Sequence, residues 1–245
     1  MLKKLSFIVL LCCASAPLLA SDLAKEQRWR EQVVGDLFDG EAITLNEGEL
    51  DFLGLITLAE PAKDDAVLIL HGIGIHPDWP QVINPLRVQL AELGWTTLSI
   101  QLPVLDNETT PVQYDAVVPE AAPRILAGIK HLKAQGAKGV YVLAHSMGAR
   151  MASYFLAQNN EAVKGFVGIG MNVGTVQYLD KIKLPFLDLY GSDDLEGVLA
   201  SAPDRAVASA HNKAYQQSVV QGADHFFNEM DEALIEEVEQ WILAQ

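Results

Sequence analysis

The stretch Ala144-His145-Ser146-Met147-Gly148 lies where two patterns meet. Val140 to Ala144 is a continuous apolar run that reads as a buried strand, and from Ala149 to Ala157 the apolar residues return at helical spacing. A chain turning sharply from strand into helix leaves little room beside the turn. Small residues two before and two after Ser146 let strand and helix approach while the serine protrudes in a strained conformation. The first small position is more often glycine in such turns, and Ala144 adds one methyl. A serine hydroxyl is a weak nucleophile, so it needs a general base, and the base needs a group to orient it. Ser146 could instead cap the helix that follows, but capping explains neither the small flanking residues nor the groups downstream.

His225, in QGADHFFNE, follows the last strand-like segment and precedes the last helix, which places it to reach Ser146. Of the other histidines, His71 ends a strand and lies against the following loop, and His145 points away from a turn of this type. His131 sits on a helix and His211 in a polar stretch. For the acid, PFLDLYGSDD ends a strand with Gly191-Ser192-Asp193-Asp194. Asp194 is the better placed, Asp193 is the alternative, and Asp188, in mid-strand, is expected to pack or pair locally. A buried structural histidine and a turn-forming aspartate are the plainer roles open to His225 and Asp194.

These residues need a frame that brings distant loops together. Residues 41 to 59 read as two extended segments joined at Asn46-Glu47-Gly48, a hairpin signal. Strands are expected at Ala66 to Leu70, Thr96 to Leu102, Val140 to Ala144, Gly165 to Ile169, Phe186 to Tyr190 and Ser218 to Gln221. Helices are expected from Val82 to Leu93, from Ile125 to near Gly136, from Gly148 to Gln158 and from Asp231 to Leu243. Continuous apolar strands alternating with helices predict an α/β fold: a mainly parallel sheet with helices on both faces and an antiparallel hairpin at its N-terminal end. Loops beyond the carboxyl ends of the strands then share one rim, where chemistry collects in such sheets.

The order Ser146, Asp194, His225, with LHGIG after an early strand, AHSMG at the turn and YGSDD…GADHF near the end, resembles the α/β-hydrolase superfamily. The likeness spans roughly residues 41 to 245. HGIGIHPDWP and GWTTLSIQLP are also similar to an uncharacterised group of exported bacterial proteins within that superfamily. The resemblance implies Ser146 as nucleophile, His225 as base and Asp194 as acid. It also implies an oxyanion hole made by the backbone N–H groups of Met147 and Ile73, with Gly74 as the other candidate beside Ile73. Only about fifteen residues separate the sixth strand from Pro185, so no cap domain is expected. The irregular stretch Pro103 to Glu120 is expected to border the site as a flexible acidic rim.

The remaining residues narrow the class. Residues 1 to 20 join Lys3 and Lys4 to an apolar segment ending in small residues, the pattern of a signal peptide cleaved after Ala20. The other reading of that segment is an uncleaved N-terminal anchor. Residues 21 to 40 form a helical, polar lead-in, and no membrane-spanning segment is expected in the mature chain. Both cysteines, Cys12 and Cys13, fall in the cleaved segment, which leaves no thiol chemistry. Losing Lys3 and Lys4 takes the formal charge from −15 to −17, which disfavours nucleic acid as a partner. His76 and Asp78 lack a third ligand, so neither a metal nor a cofactor is expected. Trp79 and Trp95 are expected to pack, and Arg150 to pair with a carboxylate.

The expectation is an exported, periplasmic serine hydrolase of esterase type, cleaving an ester or thioester of a small or accessible substrate. The oligomeric state is left open. A peptidase, amidase or acyltransferase could use the same residues. A non-catalytic envelope binding protein that kept the fold is the rival from another class.

Overall fold

A computed structural model describes residues 21–245; the signal peptide expected over 1–20 lies outside them. Helix α1 (Leu23–Asp36) opens the described chain, and Asp22 caps it by accepting the Lys25 N–H at 2.9 Å. Strands β1 (Glu41–Asn46) and β2 (Asp51–Thr57) form the hairpin. In its turn the Asn46 side chain accepts the Gly48 N–H at 2.7 Å and donates to Asp51 at 2.7 Å. There follow β3 (Ala66–Leu70), α2 (Ile83–Glu92), β4 (Thr96–Ile100), α3 (Ala121–Ala134), β5 (Val140–His145), α4 (Met147–Leu156), β6 (Gly165–Ile169), α5 (Val176–Leu179), β7 (Phe186–Gly191), α6 (Glu196–Ser209), β8 (Tyr215–Val220) and α7 (Asp231–Leu243).

The eight strands make one sheet in the order β1-β2-β4-β3-β5-β6-β7-β8. Strand β2 runs antiparallel to β1 and β4, and every other pair is parallel. This is the α/β-hydrolase arrangement without a cap domain among the described residues.

The alternation of side chains along each strand builds two cores. Leu68 and Leu70 of β3 join Val142 and Ala144 of β5 on the face covered by α3 and α4. Val67, Ile69 and Leu143 point the other way and meet α2 and α7 through Leu86, Leu90, Leu234 and Val238. Each fully buried leucine contributes about 1.5–3 kcal/mol over an exposed one, so strands apolar on both faces must lie inside this sandwich.

Helices α5 and α6 are not among the expected elements, β4 stops at Ile100 rather than Leu102, and β8 differs at its start. Helix α6 has no large apolar stripe: its inward residues are Val198, Ser201, Ala202, Arg205 and Ser209, with Pro203 inside the helix. The spacing is helical but the residues are small or polar, which conceals it from a hydrophobic periodicity. Strand β8 begins three residues earlier than expected, because it is the sheet's edge and starts with polar residues: Gln216 is exposed, and Gln217 donates to Asp188. The rim from Pro103 to Glu120 has buried anchors, while residues 106–113 are mostly exposed. Tyr114, Val117 and Val118 are buried, and the Tyr114 hydroxyl accepts the Leu105 N–H at 3.0 Å. Among the described residues no helix is long and apolar enough to cross a membrane.

Candidate active site

At the end of β5 the chain reverses within one residue. Ser146 has φ 55° and ψ −116°, a left-sided conformation that costs a non-glycine residue about 1–3 kcal/mol. The turn is held by neighbours: the Ser146 N–H donates to the Ile169 carbonyl at 2.8 Å, and α4 begins at the next residue. Gly148 is required by close approach, since a Cβ there would collide with the His71 carbonyl oxygen. Although Ser146 stands at the N-cap position, its side chain makes no capping hydrogen bond.

Its hydroxyl lies 3.1 Å from His225 Nε2 instead. His225 Nδ1 lies 2.6 Å from Asp194 Oδ1, which also accepts the Leu195 N–H at 2.7 Å. With Nδ1–H facing the carboxylate, Nε2 presents its lone pair to the serine hydroxyl. All three side chains are buried, Ser146 least so at 9% exposed. Asp193, the alternative acid, is exposed and takes the Ser192 hydroxyl at 3.1 Å. Gly170, at φ 61°, closes the space behind the pair, and a Cβ there would lie 2.9 Å from His225 Cε1. Met147 and Ile73 line the same cavity as Ser146, while Gly74 does not.

Two further histidines are buried close by. His145 Nε2–H donates to the His225 carbonyl oxygen at 2.9 Å, and its ring sits 4.8 Å from the His225 ring. Burial, reinforced by His225, lowers its pKa to about 4. His71 joins the loop after β3 to the loop after β4: Nδ1–H donates to the Gly72 carbonyl at 2.9 Å and Nε2 accepts the Leu102 N–H at 2.9 Å. Burial lowers its pKa to about 3. Both rings are neutral spacers at ordinary pH, so an imidazolium beside Ser146 would have to come from His225.

The cavity above Ser146 encloses about 280 Å³. Its walls include Asn172, Pro111, Leu195 and Phe226, none of which the sequence analysis singled out. Asn172, Leu195 and Phe226 lie within a few residues of a strand end or of an implied site residue, and Pro111 belongs to the Pro103 to Glu120 rim expected to border the site. His76 and Asp78 are engaged elsewhere. His76 is sandwiched edge-on between Trp29 and Trp79, and Asp78 holds Arg87 at 2.6 Å. Trp95 packs edge-on against Tyr141, and Arg150 pairs with Asp115 of the rim.

The sequence matches the family DUF3530, described as protein of unknown function, over residues 13–124 and 113–244. No curated protein matches it. Among solved structures, a dienelactone hydrolase from Anabaena variabilis superposes with TM-score 0.71 at 22% identity, over 83% of this chain and 96% of that one. The esterase Pf2001 of Pyrococcus furiosus gives 0.71 at 16%, over 84% and 93%. Est1E from Butyrivibrio proteoclasticus gives 0.67 at 14%, over 83% and 98%. At these identities the likeness speaks for the α/β-hydrolase fold.

Proposed function

The chain belongs to the DUF3530 family and has the α/β-hydrolase fold, and from that premise we propose that it is an exported serine hydrolase of esterase type. One observation carries the reading: the unbroken hydrogen-bond chain from Ser146 Oγ through both nitrogens of His225 to Asp194, at 3.1 and 2.6 Å. Ser146 Oγ attacks the carbonyl carbon of an ester or thioester, and His225 Nε2 takes the hydroxyl proton. Asp194 fixes the tautomer and stabilises the imidazolium that forms. The N–H groups of Met147 and Ile73 face the developing oxyanion, where loss of one donor costs roughly 100- to 1000-fold in rate. His225 returns the proton to the departing alcohol or thiol. It then deprotonates a water that frees the acid and regenerates Ser146. The reaction needs neither metal nor cofactor.

Supporting the reading, too, are the strained turn at Ser146 and a hydroxyl committed to an imidazole rather than to helix capping. Export rests on the N-terminal sequence pattern, and sequencing the N-terminus of protein recovered from the periplasmic fraction tests it: a start at Ser21 is expected, whereas an uncleaved N-terminus in the membrane fraction means anchoring. For the chemistry, protein beginning at residue 21 is incubated with a fluorophosphonate and the adduct mapped by mass spectrometry. Labelling of Ser146, lost in Ser146→Ala and His225→Ala, is expected. Folded wild-type protein that stays unlabelled would leave a binding protein that merely keeps the fold.

A further inference from the structure

The cavity above Ser146 differs in chemistry from the surface around it. The described chain is strongly acidic, yet none of the cavity's wall residues is Lys, Arg, Asp or Glu. Ile73, Ile75, Pro111, Met147, Leu195 and Phe226 make most of the wall. The polar side chains among them are those of the site itself and Asn172, whose Oδ1 is engaged by the Gly174 N–H at 2.9 Å. The cation nearest in sequence to the nucleophile, Arg150, is neutralised by Asp115 and packed against Gly174. Outside the cavity the apolar character continues: Val112, Val173 and Leu195, adjacent to or part of the wall, are 74%, 63% and 57% exposed.

We propose that the site takes uncharged esters whose acyl group is apolar and about the size of a short alkyl chain or a single aromatic ring, and that it rejects acyl groups bearing a carboxylate. The inference rests on the hydrolase reading above and specifies its substrate. Size follows from volume: a cavity of about 150 Å³ takes up benzene, and this one encloses about 280 Å³. The space therefore holds such a group together with the reacting ester. Charge follows from desolvation, because a carboxylate drawn between these walls loses its water and meets no cation in return, the Asn172 amide being the one wall side chain outside the site that can donate to it. Each added methylene, by contrast, exchanges water for wall, a gain that accumulates until the cavity is full.

The test uses p-nitrophenyl esters with protein from residue 21: acetate, butanoate, pentanoate, hexanoate, dodecanoate and the hemisuccinate, whose acyl chain resembles pentanoate but ends in a carboxylate. Expected is a kcat/KM that climbs about tenfold or more from acetate to hexanoate and gains nothing further at dodecanoate. The hemisuccinate is expected at least roughly tenfold below pentanoate. Pro111→Arg, which puts a cation at the cavity wall, should raise the hemisuccinate-to-pentanoate ratio several-fold. A hemisuccinate rate equal to pentanoate, or acetate as the best substrate, overturns the inference. Fluorophosphonate labelling separates the failures. With Ser146 labelled, those results sink the substrate class alone; with neither labelling nor turnover, the hydrolase reading falls and this inference with it.

Discussion

Strand β7 and the loop after it carry two buried aspartates, Asp188 and Asp194, and each is paired with a basic side chain from elsewhere in the chain. Asp188 is fully buried, and its Oδ2 accepts from Arg205 Nε at 2.8 Å, the Tyr215 hydroxyl at 3.0 Å and Gln217 Nε2 at 2.8 Å. Arg205 in turn donates to the carbonyl oxygens of Met171 and Val198 and to the Ser201 hydroxyl. Of its buried side-chain polar atoms the cluster leaves only Asp188 Oδ1 and Arg205 Nη2 without a hydrogen-bond partner, and its base keeps its proton at any ordinary pH. The Asp194 cluster is thinner and ends differently. Its base is an imidazole, and beyond the imidazole stands a hydroxyl facing a cavity. A buried carboxylate surrounded by fixed donors clamps elements together. One that steers a titratable ring toward an open space is arranged to let a proton move. The clamp also serves the site, since Arg205 grips Met171 next to Gly170, the residue closing the space behind His225.

The comparison breaks if the two aspartates answer alike to the same change. Asp194→Asn is expected to lower kcat on the order of 10⁴-fold, because the amide favours the wrong tautomer of His225, while the unfolding midpoint in urea stays near wild type. Asp188→Asn should do the reverse. Removing the charge leaves the Arg205 guanidinium buried without a counter-ion, which costs about 3–5 kcal/mol of stability in urea titrations. The fraction that folds should keep kcat within roughly tenfold, the residual loss reflecting a looser Met171 loop. Equal catalytic losses would mean that both aspartates belong to the reacting machinery.

The halves of this comparison were not equally legible in the sequence. Ser146, Asp194 and His225 stand out because a strand–turn–helix confines residue types at fixed offsets, and because loops after parallel strands share one rim. The sheet itself is legible from strands apolar on both faces. Arg205 is not, since α6 presents serine, alanine and arginine to the interior and its period carries no hydrophobicity. Asp188 is visible as a mid-strand charge, but its partner lies on the helix that periodicity misses. The cavity wall is partly legible: the rim from Pro103 to Glu120, expected at the site, supplies Pro111, but Asn172, Leu195 and Phe226 come from three other loops and meet only when the sheet is assembled.

Acid sharpens the contrast with the smallest of these effects. On the side of the site, His145 is buried and neutral in the folded protein, with a pKa lowered to about 4 by burial first and by His225 second. Unfolded, the same ring titrates near 6.5. Between those values the unfolded chain binds a proton that the folded chain refuses. The stability contributed by the neutral ring is therefore complete above about pH 6.5 and is lost as the pH falls toward 4. From pH 7 to pH 5 the loss is on the order of 2 kcal/mol for this ring. The arginine of the clamp has no proton to exchange in that range. His145→Gln, whose amide can still donate toward the His225 carbonyl, should flatten the fall in urea-derived stability between pH 7 and pH 5 by about that amount, whatever its stability at pH 7. An unchanged slope would mean that His145 is charged or solvated in the folded protein, and that the packing beside Ser146 is looser than its 1% exposure implies.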